Sequence, residues 1–167
     1  MIEFFGVLSY ETKLEVAKLK SKISGNIFLV VTILTPIITS LATIFNGNFK
    51  KVWYLILILT IIFVFITVLM YYVPTKRVDS FKIKTKVQIE NGNILQIVEE
   101  LNTFLVKPIS KVKKVIDYGC FYAIIFNMGD ITNAFICEKQ LLIKGTLKDF
   151  EELFKDKLES KKQSSKI

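Results

Sequence analysis

A chain of 167 residues with 51% hydrophobic residues, a formal net charge of +8 and no histidine has a restricted chemistry. Histidine-based acid–base catalysis and most transition-metal sites are excluded, and Cys120 and Cys137 stand too far apart for a CxxC motif. The cationic excess is nearly all lysine and accompanies no nucleic-acid-binding motif, so it points to an anionic membrane leaflet rather than to nucleic acid.

Residues 1–25 open with MIEFFGVLS, which fits a strand, and Ser9 then stands where it can cap an amphipathic helix, YETKLEVAKLKSK. Two uncharged runs follow, Ile27 to Phe45 and Val52 to Val73. At about 1.5 Å per residue, roughly 20 apolar residues match the ~30 Å hydrocarbon core of a bilayer. The expected spans are 26–45 and 52–73, joined by an extracytoplasmic loop at 46–51. The first is too long for the apolar stretch of a cleaved signal peptide, and a long amphipathic segment precedes it. Lys13, Lys18, Lys20 and Lys22 before the first span, and Lys76, Arg77, Lys82, Lys84 and Lys86 after the second, outnumber Lys50 and Lys51 in the loop. Positive charge concentrates on the cytoplasmic side, so both termini are expected in the cytoplasm. Trp53, Tyr54, Tyr71 and Tyr72 bracket the second span as interfacial aromatics.

Within the first span Thr32, Thr35, Pro36, Thr39, Ser40 and Thr43 recur at helical spacing, and Thr60 and Thr67 share a face of the second. Small and hydroxyl residues allow close helix approach, so these residues are expected to pack the two spans together or to receive a membrane-protein partner. Neither span carries an ionisable residue, which argues against a proton or ion relay.

Residues 74–158 read as a β-rich cytoplasmic domain. In VDSFKIKTKVQIE, Phe81, Ile83, Thr85, Val87 and Ile89 alternate with Lys82, Lys84, Lys86, Gln88 and Glu90. Asn91-Gly92-Asn93 is a hairpin turn, ILQIVEE and NTFLVKP continue as strands, and Pro108 ends the second of them. ISKVKKVIDYG suggests a short turn and a strand, and CFYAIIFN with NAFICEKQLLIKG a hydrophobic hairpin, for about five or six strands in all. Thr146 and Asp149 mark the start of a closing helix expected from about Leu147 to Leu158, with Leu147, Phe150, Phe154 and Leu158 on its buried stripe. Residues 159–167 are expected to be a disordered tail. Both cysteines are expected as small core residues, and Glu151 and Glu152 as carboxylates favoured by the helix N-terminus.

The order of strand, helix, two close-set spans and basic strand, followed by KVKKVIDYGCFYAIIFNMGDITNAFICEKQLLIKGTLKDFEELFKDKL, resembles the bacterial YcxB-like membrane proteins. The resemblance implies a C-terminal pleckstrin-homology-like domain, a curled sheet capped by a helix. Such proteins often carry Ile-Pro-x-Lys where this chain reads ICEK at 136–139.

The expected fold class is therefore an α+β membrane protein, with a two-helix transmembrane hairpin and a cytoplasmic PH-like domain. Lys82, Lys84 and Lys86, with Lys111, Lys113 and Lys114, are candidates for contact with anionic lipid headgroups. Alternatively, the first three are a solvated strand face that protects an edge. No catalytic, cofactor or metal site is expected, and no small-molecule substrate. The expected partners are the bilayer, a membrane or cytoplasmic protein, or a second copy. The expected function is a non-enzymatic interaction module at the inner leaflet, and the competing one is self-protection against a membrane-active toxin.

Overall fold

The computed structural model describes residues 1–45, 49–76, 84–99, 102–126 and 131–160. The chain forms two compact units, one of residues 1–16 with 79–167 and the other of 17–78. The second unit is thus inserted between the first strand of the β-rich unit and the rest of it.

In the β-rich unit, β1 (Ile2–Val7) runs antiparallel to β2 (Lys84–Glu90), from Ile2 opposite Ile89 to Val7 opposite Lys84. Its other edge pairs with β8 (Leu142–Lys144). β2 turns at Asn91 and Gly92 into β3 (Asn93–Val98), which pairs with β4 (Thr103–Pro108), giving the order β4-β3-β2-β1-β8. Asn91 and Gly92 have φ of 49° and 75°. Two consecutive left-handed residues match the right-handed twist of the flanking strands, which is why this dipeptide makes the turn.

The second sheet holds β5 (Lys114–Asp117), β6 (Phe121–Ile125), β7 (Phe135–Glu138) and β9 (Leu158–Ser160) in the order β7-β6-β5-β9. Ile2, Phe4, Val87, Ile89 and Ile94 of the first sheet form one core with Val115, Tyr122, Ile124, Phe135 and Cys137 of the second. A helix, α3 (Leu147–Leu153), adds Phe150, whose ring meets Phe4 edge-on at 5.6 Å and stacks on Tyr122 at 4.6 Å. Thr146 and Asp149 form a reciprocal capping box at its start.

Several expectations are corrected here. ICEKQLLIK is not one strand, because a 3-10 turn at Lys139–Leu141 passes the chain from β7 in one sheet to β8 in the other. The closing helix stops at Leu153; a 3-10 turn at Lys155–Lys157 leads into β9, which runs parallel to β5. Leu158 thereby pairs with Val115, and Glu159 and Ser160 belong to the sheet rather than to a tail. Cys137 is fully buried, whereas Cys120 is exposed. Phe81, Ile83 and Lys82 lie outside the described residues.

The expected amphipathic helix and first span are one helix, α1 (Tyr10–Phe45). The helix runs unbroken through Ser24, Gly25 and Asn26 at the junction, and Pro36 is accommodated inside it. The second helix, α2 (Phe49–Lys76), begins within the expected loop and outlasts the expected span at both ends. By length and composition both can cross a membrane.

Gly92 has nothing within 4 Å of where a Cβ would stand, so its requirement is purely one of φ. Gly92→Val is expected to cost the β-rich unit about 1–2 kcal/mol. Asn91→Gly should be nearly neutral. Denaturant unfolding followed by circular dichroism checks both.

Candidate functional site

The helical unit turns its hydroxyls inward and its large apolar side chains outward. On α1 Thr32, Thr35, Pro36, Thr39, Ser40 and Thr43 are half-buried, whereas Ile33, Leu34, Ile37, Ile38, Leu41 and Ile44 are exposed. On α2 Ile56, Thr60, Phe63, Ile66, Thr67 and Tyr71 form the less exposed stripe, at steps of three and four. In the most apolar window of either helix only 6% is buried.

The sequence-derived hydroxyl face is one surface, but its members do different things. The Thr32 and Thr67 hydroxyls meet across the pair at 2.9 Å, and each also lies within hydrogen-bond reach of a carbonyl of its own helix, Phe28 for Thr32 and Phe63 for Thr67, so one hydroxyl donates across the pair and the other to its own helix. Thr39 donates to the carbonyls of Thr35 and Pro36, Thr43 to those of Thr39 and Ser40, and Thr60 to that of Ile56. These local bonds satisfy the hydroxyls without water, as a helix in an apolar solvent requires.

Two contacts escaped the sequence reading. Ser21 donates to the carbonyls of Met70 and Tyr71 at 2.7 and 3.0 Å, and the Tyr71 ring crosses directly over Gly25 while its hydroxyl donates to Asn26. Ser21 and Gly25 are a small-x-x-x-small pair, and extending the Thr32 stripe back by steps of three and four reaches both. Tyr71, read from sequence as an interfacial anchor, is a helix-packing residue.

The six candidate lysines do not form one cluster. Lys82 lies outside the described residues. Lys84 and Lys86 stand on the face of the first sheet turned away from the core. Lys111, Lys113 and Lys114 belong to the turn and strand that open the second sheet. Lys114 pairs with Glu159 at 3.4 Å.

Lys86 is committed to Glu3 at 2.8 Å, and Lys144 approaches the same carboxylate to 3.4 Å. Lys86 is the closer and stronger partner. The Glu3 side chain is only 6% exposed; its bond to Lys86 above all holds its pKa below the ordinary 4.5, against the cost of burial.

The first turns of α1 are joined to the second sheet. The Ser9 backbone N–H donates to buried Glu138 of β7 at 2.8 Å, and the Ser9 hydroxyl accepts from the Thr12 N–H. Glu138 therefore fills, from another element, the place a capping-box glutamate would take in sequence. Glu151 has a specific partner as well, because Tyr122 donates its phenol to it. Burial and Glu151 hold the Tyr122 pKa far above its usual value, so the phenol remains a donor. Among the described residues no group of three or more Cys, Asp or Glu side chains is placed to hold a metal.

No family model, curated protein or solved structure matches this chain.

A Cβ on Gly25 would come to 2.4 Å from the Tyr71 ring. Gly25→Ala should therefore destabilise the helix pair by about 1–3 kcal/mol in the presence of Tyr71 and far less with Tyr71→Ala. Thermal unfolding of the four chains of this cycle in detergent reads the coupling.

Glu3 gives a pH signature. A carboxylate whose folded pKa is depressed contributes stability that is complete above its unfolded value and is lost as pH falls through the folded one. The stability gap between the natural chain and Glu3→Gln should be widest near neutrality and shrink below about pH 4.5. Unfolding measured from pH 7 to pH 3 tests this.

Proposed function

We propose that this is an integral membrane protein that crosses the bilayer twice, keeps both termini in the cytoplasm, and presents its β-rich unit there as a non-enzymatic interaction module. The observation that carries the reading is the inversion of the helical unit. A helical hairpin in water buries its large apolar side chains and exposes its hydroxyls. This pair exposes Ile37, Ile38, Ile58, Ile61 and Phe65, and turns Thr32 and Thr67 toward each other. Hydrocarbon rewards that arrangement, because lipid solvates isoleucine while interhelical polar groups satisfy one another.

The lysine asymmetry supports the orientation. The succession of a four-strand meander, β1 to β4, a three-strand meander, β5 to β7, and a short helix supports reading the β-rich unit as pleckstrin-homology-like. Lys84 and Lys86 remain candidates for anionic headgroups, with Glu3 sharing the charge of Lys86. The hydroxyl stripe supports self-packing of the two helices, with Thr32 and Thr67 as its centre.

Single cysteines at Asn48 and Lys148, in a chain carrying Cys120→Ser and Cys137→Ala, test the topology. In intact bacterial cells a membrane-impermeant maleimide should label position 48 and should reach position 148 only after permeabilisation. Release of the chain by alkaline carbonate, or the opposite labelling pattern, overturns the reading.

A further inference from the structure

β4 is one of the two edge strands of the five-stranded sheet, and Phe104, Leu105 and Val106 on it are 72, 53 and 54% exposed. Phe104 and Val106 share the outer face with Ile97 and Leu95, and Leu105 lies on the opposite face. Exposed edge strands usually carry a charge, a bulge or a proline that blocks pairing. Here the strand's one charge, Lys107, is drawn under the sheet, its Nζ 4.4 Å from the ring centroid of Phe126 and 5.1 Å from that of Phe135. Thr103 to Val106 is left neutral and bare.

Hydrogen-bond parity identifies the unused backbone groups. The Ile109 N–H donates to the Gly92 carbonyl at 2.8 Å, which makes Asn93 and Pro108 a non-hydrogen-bonded pair. Counting back along the ladder, Thr103, Leu105 and Lys107 bond to β3, whereas Phe104 and Val106 direct their N–H and C=O groups away from the sheet. The next outward residue is Pro108, which has no N–H, so the edge ends there.

We propose that β4 pairs antiparallel with β4 of a second copy, about a two-fold axis passing beside Leu105. In this register each Phe104 faces Val106 of the second copy, and that pair exchanges two backbone hydrogen bonds in each half of the interface. An aromatic residue opposite a β-branched one is a favourable cross-strand pair. Leu105 meets its own counterpart on the other face, and Lys107 faces Thr103, so no like charges oppose each other. The surface is self-complementary and closes after one partner. A bilayer is a poorer occupant, because hydrocarbon would leave the outward N–H and C=O groups of Phe104 and Val106 unpaired.

The test uses the full chain in isolated membranes, with Cys120→Ser and Cys137 left in the core. Leu105→Cys should form a disulfide-linked dimer under mild oxidation, while Lys148→Cys stays monomeric. Co-expressed Phe104→Cys and Val106→Cys chains should cross-link to each other more than either does to itself. Because a cysteine could disturb the strand, subunit counting on the unsubstituted chain in detergent provides a second measurement. It should give a dimer, and Val106→Lys, which sets a charge on the edge, should lower the dimer fraction at least tenfold. A monomer by subunit counting, equal cross-linking at positions 105 and 148, or cross-linking of position 105 only to a different protein overturns the proposal.

Discussion

The architecture depends on one long-range pairing, that of β1 with β2. Val7 and Lys84 face each other in an antiparallel ladder although the entire helical pair lies between them in the chain. The pairing closes a very long loop, whose entropic cost grows only slowly with length. It is held by Ile2 and Phe4 from β1 packing with Val87 and Ile89 from β2 in the common core. Without β1 between β2 and β8, β8 would lose its partner and Lys86 its carboxylate.

The same strand sets the start of α1. Ser9 follows β1 closely, and its backbone N–H and hydroxyl are both used, one by Glu138 and the other by the Thr12 N–H. The first turns of a helix leave backbone donors without intrahelical partners, and a buried carboxylate there satisfies one donor and complements the positive end of the dipole. Glu138 is accordingly buried with the Ser9 N–H as a partner. Within the β-rich unit, the first turn of α1 is thus held to the second sheet by a hydrogen bond as well as by the chain.

The two units distribute overlapping residue types in opposite ways. The β-rich unit packs Phe4, Tyr122, Phe150 and Phe154 into a core. The helical unit exposes isoleucine, leucine and phenylalanine and keeps threonine inside. Thr146 in the first unit caps a helix, where its side chain accepts from a free N–H. Thr32, Thr39, Thr43, Thr60 and Thr67 in the second sit in helix interiors, where the hydroxyl must return to a carbonyl of its own chain or cross to the neighbouring helix.

Local chemistry is what the sequence determined. The Asn91-Gly92 turn, the Thr146 cap, the Ser9 cap, the end of β4 at Pro108 and the hydroxyl stripe of α1 were all readable, because each depends on φ preference, a nearby side chain or helical periodicity. Tertiary structure decided what those patterns could not encode. ICEKQLLIK divides between two sheets, and Leu158 from the expected helix, with Glu159 and Ser160 from the expected tail, joins β5, because edge pairing across the chain outweighs local helix periodicity. Lys86 and Lys144 converge on Glu3 from separate strands, so a row of lysines that alternates as a solvated face in sequence neutralises a nearly buried carboxylate in space. Ser21 and Gly25 acquired their role only when Tyr71 lay across them, since a close approach belongs to two helices and has no signature in either alone.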